Sequence, residues 1–138
     1  MSASTLDRVH HISFVVRDLD RGVAQLRRLL DVPEPERGPV PGRGAEVAVF
    51  RLRNLNIELV APVTPDSGLW RRLEAHGEGF FHLAFGVDDV DAACRDLARR
   101  GLRMQGRPYV AFRDWRIAYI DPEDAGWLSL HVIDADAD

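Results

Sequence analysis

The sequence predicts an α+β fold assembled from two copies of one strand–helix–strands unit, and two observations carry that prediction. The first is an internal repeat. When Val9–Asp20 is laid over Phe80–Asp91 at a constant offset of 82 − 11 = 71 and without gaps, His11 falls on His82, Phe14 on Phe85 and Val16 on Val87. Further on, Asp18 falls on Asp89, Asp20 on Asp91 and Leu26 on Leu97. Repetition of this kind fixes architecture before any single element does. The second observation is the switch of hydrophobic period in each copy, from about two residues to about 3.6, which turns a strand into a helix.

The elements follow in order. Residues 9–17 alternate and are rich in Ile, Val and Phe, as a half-buried strand requires. Asp18 stands at an N-cap position ahead of Leu19, Val23, Leu26 and Leu30, whose spacing lays one apolar stripe along a helix that Pro33 and Pro35 end. Pro33–Gly44 holds four prolines and three glycines and reads as an irregular loop, either a lid or binding loop or a plain surface connection. Two short strands, about Glu46–Arg51 and Asn56–Val60, turn at Arg53-Asn54, and Ala61–Pro65 closes the copy. A short helix at Gly68–Ala75 and the turn Gly77-Glu78-Gly79 form a linker. The second copy runs from a strand at Phe81–Val87 into a helix capped by Asp89, with Val90, Cys94 and Leu97 inward and Gly101 as its stop. A loop over Gln105–Asp114 and strands at Trp115–Ile120 and Trp127–Ile133, joined by the turn Asp121–Gly126, complete it. The expectation is one domain over residues 1–138, with module one at about 8–62, a linker at 63–78 and module two at about 79–134.

Composition narrows the function. The net charge of −4, with an acidic tail Asp134–Asp138, lacks the clustered basic face of a nucleic-acid binder. No apolar run approaches the ~20 residues of a membrane span, and Met1–Thr5 lacks the basic-then-apolar opening of a secretory signal. The single cysteine, Cys94, leaves no intrachain disulfide and fits a reducing cytoplasm; as the repeat equivalent of Val23 it reads as a small core residue. All 18 cations are arginine, so neither a Schiff-base lysine nor a phosphate-loop lysine is available. A metal would have to be held by histidine and carboxylate.

Four residues meet that description. Besides His11 and His82, Glu58 is the only acid in the apolar run Asn56–Val60, and His131 has the equivalent setting in Leu128–Val132. The intervals agree, 58 − 11 = 47 against 131 − 82 = 49. A pseudo-twofold between the modules would bring His11, Glu58, His82 and His131 to one concave sheet surface. Burying four ionisable groups is costly unless a divalent cation compensates them. The alternative, four separate core polar groups satisfied by backbone, has to explain their repeat-equivalent placement. Fe, Ni, Co, Zn and Mn all suit imidazole and carboxylate. Among the rest, His10 is expected on the opposite strand face, His76 in solvent and Glu46 at a strand end as an outside acid/base candidate. Arg113, Trp115 and Arg116 are candidates for a lip contacting an anionic substrate.

These residues resemble the vicinal oxygen chelate superfamily, which includes glyoxalase I, methylmalonyl-CoA epimerase, extradiol dioxygenases and fosfomycin- or bleomycin-resistance proteins. The resemblance covers about residues 8–134 and is nearest to the epimerase branch, through Val9-His10-His11-Ile12, Asn56-Ile57-Glu58-Leu59, Gly79–Ala84 and Asp121-Pro122. It implies two βαβββ modules curving into one open barrel around a divalent metal, homodimers, and His11, Glu58 and His82 as ligands. The fourth ligand in the family is a glutamate on the last strand that also takes part in proton transfer; here that position holds His131.

The leading reading is a metal-dependent epimerase or isomerase acting through an enediolate on a small vicinally oxygenated acid, acyl-CoA or polyol. The metal would act as Lewis acid, and Glu58 or His131 would shuttle the proton. One rival is an Fe(II) oxygenase or lyase at the same residues. The other is a non-catalytic small-molecule-binding resistance protein, with Trp115 and Trp127 lining an apolar groove.

Overall fold

Asp18 and Asp89, one repeat offset apart, cap the two long helices of the computed structural model, which describes residues 6–65 and 67–134. The Asp18 side chain accepts from the Arg21 amide, and the Asp89 side chain accepts from the Asp91 and Ala92 amides. Each cap satisfies N–H groups that a helix start leaves without intrahelical partners. Residues 1–5, residue 66 and residues 135–138, which hold all of the acidic tail but Asp134, lie outside the described residues.

The elements run β1 (Val9–Val15), α1 (Leu19–Leu30), β2 (Glu36–Val40), β3 (Ala45–Arg51), β4 (Asn56–Pro62), α2 (Gly68–His76), β5 (Gly79–Gly86), α3 (Val90–Arg99), β6 (Met104–Val110), β7 (Arg116–Ile120), α4 (Pro122–Ala125) and β8 (Leu130–Ile133). The order βαβββ thus occurs twice, with α2 between the copies and α4 inside the second.

Two of the expected loops are partly strands. Glu36–Val40 pairs antiparallel with β3 despite Pro39. As the outermost strand of its sheet, β2 loses no partner on its open side when proline removes an N–H. Met104–Val110 likewise pairs with β7, through a register shift between Gln105 and Tyr109 that accommodates Gly106 at φ 77° and Pro108. Here too the strand is outermost. The predicted strand at Trp127 starts only at Leu130, and the turn before it is the single-turn helix α4.

The described residues form two compact units, one within residues 6–11 and 82–134, the other within residues 12–65 and 67–81. In the second of these, strands are ordered β2-β3-β4-β1, and α1 lays Leu19 and Val23 on Ala48, Phe50, Leu59 and Ala61. In the first, the order is β1-β5-β8-β7-β6, and α3 lays Val90, Ala93 and Leu97 on Ala118, Ile120 and Val132. Cys94 packs at the margin of that core, with its thiol pKa raised by burial and then by Asp91, as a small core residue should be. Among the described residues no helix is long and apolar enough to cross a membrane.

Candidate metal centre

Four successive strands, β1, β5, β8 and β7, supply the side chains of one buried cluster. Strand alternation sets the faces. Ala84 on β5 is in parallel register with His131 on β8, so His82, two residues back, shares the face of His131. Tyr119 on β7 is the antiparallel register partner of His131 and points the same way.

His11, His82 and His131 are all buried, and each offers a ligand atom within 4.8 Å of the others. Nε2 of His11 faces Nε2 of His82 at 3.3 Å. Two nitrogens bound to one tetrahedral ion at about 2.0–2.1 Å stand roughly 3.3–3.4 Å apart, so the pair already has the spacing of shared ligation. Both ring nitrogens of His131 are buried without a hydrogen-bond partner. A neutral imidazole has one donor and one acceptor, and leaving both unmade in a buried site is costly. A divalent cation would use the acceptor. The donor set of three imidazoles therefore fits a borderline metal such as Zn, Co, Ni or Fe.

Electrostatics favours the same state. The pKa of His11 lies well below the usual 6.5, first because of burial, then because of His131 and His10. That of His131 is also well below 6.5, again through burial first, then His82 and His10. Both rings are neutral at pH 7, with lone pairs open to a cation rather than a proton.

The surroundings hold the rings in place. Nδ1 of His11 lies 2.8 Å from Nδ1 of His10, and Nδ1 of His82 lies 3.2 Å from the Tyr119 hydroxyl. Trp115 stacks on His11 with 5.3 Å between ring centroids and 25° between planes, and Phe112 stands edge-on behind it. His10 is thus not turned away from the site, as strand alternation predicts for a neighbour of His11; its buried ring meets His11 and Trp115 edge-on.

The other residues singled out in the sequence have the following settings. Glu58 belongs to the second unit, buried on β4, where the Ser13 hydroxyl donates to its Oε1 at 2.7 Å. Burial pushes its carboxyl up to about 7, against the lowering effect of that hydroxyl. Glu46 is half-buried on β3 and His76 is exposed at the end of α2. Trp115 is no surface lip but a buried wall of the histidine cluster, and Arg116 is engaged with Asp91 at 3.0 Å. Trp127 is 91% exposed and so lines no groove among the described residues. Tyr119 carried no signal in the sequence, since an aromatic on an alternating strand reads as core.

Comparison with known proteins gives one consistent picture. Residues 10–119 match the Glyoxalase/Bleomycin resistance protein/Dioxygenase superfamily. The mitochondrial methylmalonyl-CoA epimerase of Homo sapiens is 27% identical over 133 residues, 95% of this chain and 76% of the human protein. Among solved structures, the methylmalonyl-CoA epimerase from Mycobacterium tuberculosis is 25% identical, with a TM-score of 0.90 over 99% of this chain and 93% of that one. A variant of the Streptomyces coelicolor methylmalonyl-CoA epimerase in complex with 2-nitronate-propionyl-CoA is 26% identical, with a TM-score of 0.89 over 96% of this chain and 100% of that one.

Proposed function

Because the chain belongs to the Glyoxalase/Bleomycin resistance protein/Dioxygenase superfamily, we propose that it is a metal-dependent epimerase or isomerase. Its substrate would be a small vicinally oxygenated acid or acyl-CoA, on which it removes and returns a proton beside a carbonyl. The observation that carries this reading is the buried trio His11, His82 and His131, with two Nε2 atoms at 3.3 Å and a third imidazole whose polar atoms lack partners. The likeness to methylmalonyl-CoA epimerases supports the choice of reaction class.

In this reading His11, His82 and His131 hold the cation, and Glu58 is the fourth ligand carried over from the family pattern. When bound, a divalent ion supplies Lewis acidity toward two neighbouring substrate oxygens, which acidifies the adjoining C–H. Glu58 is the better proton carrier of the two named from the sequence. In the metal-free protein burial pushes its carboxyl up to about 7, so this group holds a proton more readily than an ordinary carboxylate, whereas His131 resists protonation through burial. Ser13, donating to Oε1, fixes the orientation of that carboxyl. The buried Trp115 covers one face of His11 and keeps water from it. A single thiol suits a cytoplasmic setting, and a homodimer is the assembly expected by family resemblance, to be checked by light scattering.

Elemental analysis before and after chelation, followed by deuterium exchange from D2O into 2-methyl acyl-CoA thioesters and α-hydroxy acids, tests the proposal. Near-stoichiometric Co, Ni, Zn or Mn with deuterium incorporation is the expected result. No metal, with the fold intact, would overturn it and leave a small-molecule-binding module.

A second reading rests on the donor set itself, which is three imidazoles, His11, His82 and His131. An all-imidazole trio with bound iron would suit oxygen chemistry, recognisable as oxygen consumption that ceases in anaerobic buffer.

A further inference from the structure

A neutral imidazole binds a metal only through the nitrogen that lacks the proton, so whatever fixes the proton on the other nitrogen decides which atom ligates. His82 turns Nε2 toward Nε2 of His11 at 3.3 Å and Nδ1 toward the Tyr119 hydroxyl at 3.2 Å. Two protonated Nε2 atoms cannot face each other at that distance, and a shared cation needs both lone pairs. The proton of His82 must then sit on Nδ1, where a buried N–H requires an acceptor.

We propose that Tyr119 is a positioning residue for the metal centre: its hydroxyl oxygen accepts the Nδ1 proton of His82 and so keeps the Nε2 lone pair of His82 aimed at the cation. The proposal rests on reading His11, His82 and His131 as the metal-holding group. The fold places Tyr119 for this task. β8 lies between β7 and β5, so a group on β7 must span one strand to reach His82, and the length of a phenol does so. The ring is braced on the way, edge-on to its register partner His131 at 4.7 Å and to His82 at 5.6 Å. The two nitrogens of His82 therefore have different surroundings.

Tyr119→Phe tests this, because it removes the hydroxyl and keeps the ring contacts. In metal-free protein labelled with 15N-histidine, wild-type His82 should give the Nδ1–H tautomer signature, and the variant a mixture or the Nε2–H form. By chelator competition, Zn2+ should bind the variant about ten- to a hundredfold more weakly. An unchanged tautomer and an unchanged Zn2+ affinity in the folded variant would overturn the role of Tyr119. Wild type that fails to bind Zn2+ would instead overturn the metal reading, while the tautomer comparison still judges the hydrogen bond by itself.

Discussion

Nε2 of His11 and Nε2 of His82 face each other at 3.3 Å, although 71 residues separate them. That separation equals the repeat offset, so the two strands of the duplicated unit present the same atom from opposite sides. The buried trio they form with His131 has consequences that can be measured.

The first concerns stability without metal. Both ring nitrogens of His131 are buried and unpartnered, which costs about 1–3 kcal/mol per unmade hydrogen bond. His131→Leu should therefore stabilise the metal-free protein by about that amount in urea denaturation and abolish binding of divalent metal. A destabilised His131→Leu protein would mean the imidazole has partners that matter to folding.

The second concerns ligand linkage. A cation at about a thousand times its Kd adds ~4 kcal/mol to the folded state. For a domain of this size that corresponds to a rise in Tm on the order of 10 °C. Calorimetry with and without chelator should show the shift in wild type and lose it in His11→Ala and His82→Ala.

A third prediction is the pH dependence of metal-free protein. His11 and His131 have folded pKa values below 6.5, so the unfolded chain binds more protons than the folded one beneath that pH. Their contribution to stability is lost as pH falls below 6.5, at roughly 1.4 kcal/mol per pH unit for each ring. Glu58 acts in the opposite sense. With its pKa raised from 4.5 to about 7, its contribution is present below 4.5 and lost as pH rises through 7. Just below pH 6.5 the two rings oppose the one carboxyl, so stability should rise with pH there, less steeply than the rings alone would make it. Between 6.5 and 7 it should turn down. A flat profile in urea midpoints across pH 5–8 would contradict these assignments.

Glu58→Gln separates proton transfer from folding. The amide oxygen can still accept from Ser13, so stability at pH 5 should change little, and the decline toward alkaline pH should disappear. Deuterium exchange into substrate should fall at least about a hundredfold. Metal content of the variant decides whether Glu58 is also a ligand: a fall in bound metal supports ligation, and full occupancy removes Glu58 from the ligand set.

Much of this was legible in the sequence because it was written twice. The offset that aligned Asp18 with Asp89 also aligned His11 with His82, and the structure gives those pairs the same work, capping and clustering. His131 was found by comparing intervals, and it stands within the trio. The strands β2 and β6 were hidden because Pro39, Gly106 and Pro108 read as loop residues, and local pattern cannot show that a strand will lie at a sheet edge where proline is tolerated. Tyr119 was hidden for a different reason. Its relation to His82 and His131 depends on strand register between segments far apart in the chain, which no single segment encodes.

Trp115 lies flat against His11 at 5.3 Å. The cluster thus carries its own fluorophore, and a Co or Ni ion seated there would quench that indole at short range. Trp127, 91% exposed, emits from water as a red-shifted background. With the half-buried Trp70 of α2 replaced by phenylalanine, occupancy of the site can then be followed as loss of the Trp115 emission, in real time and without a substrate.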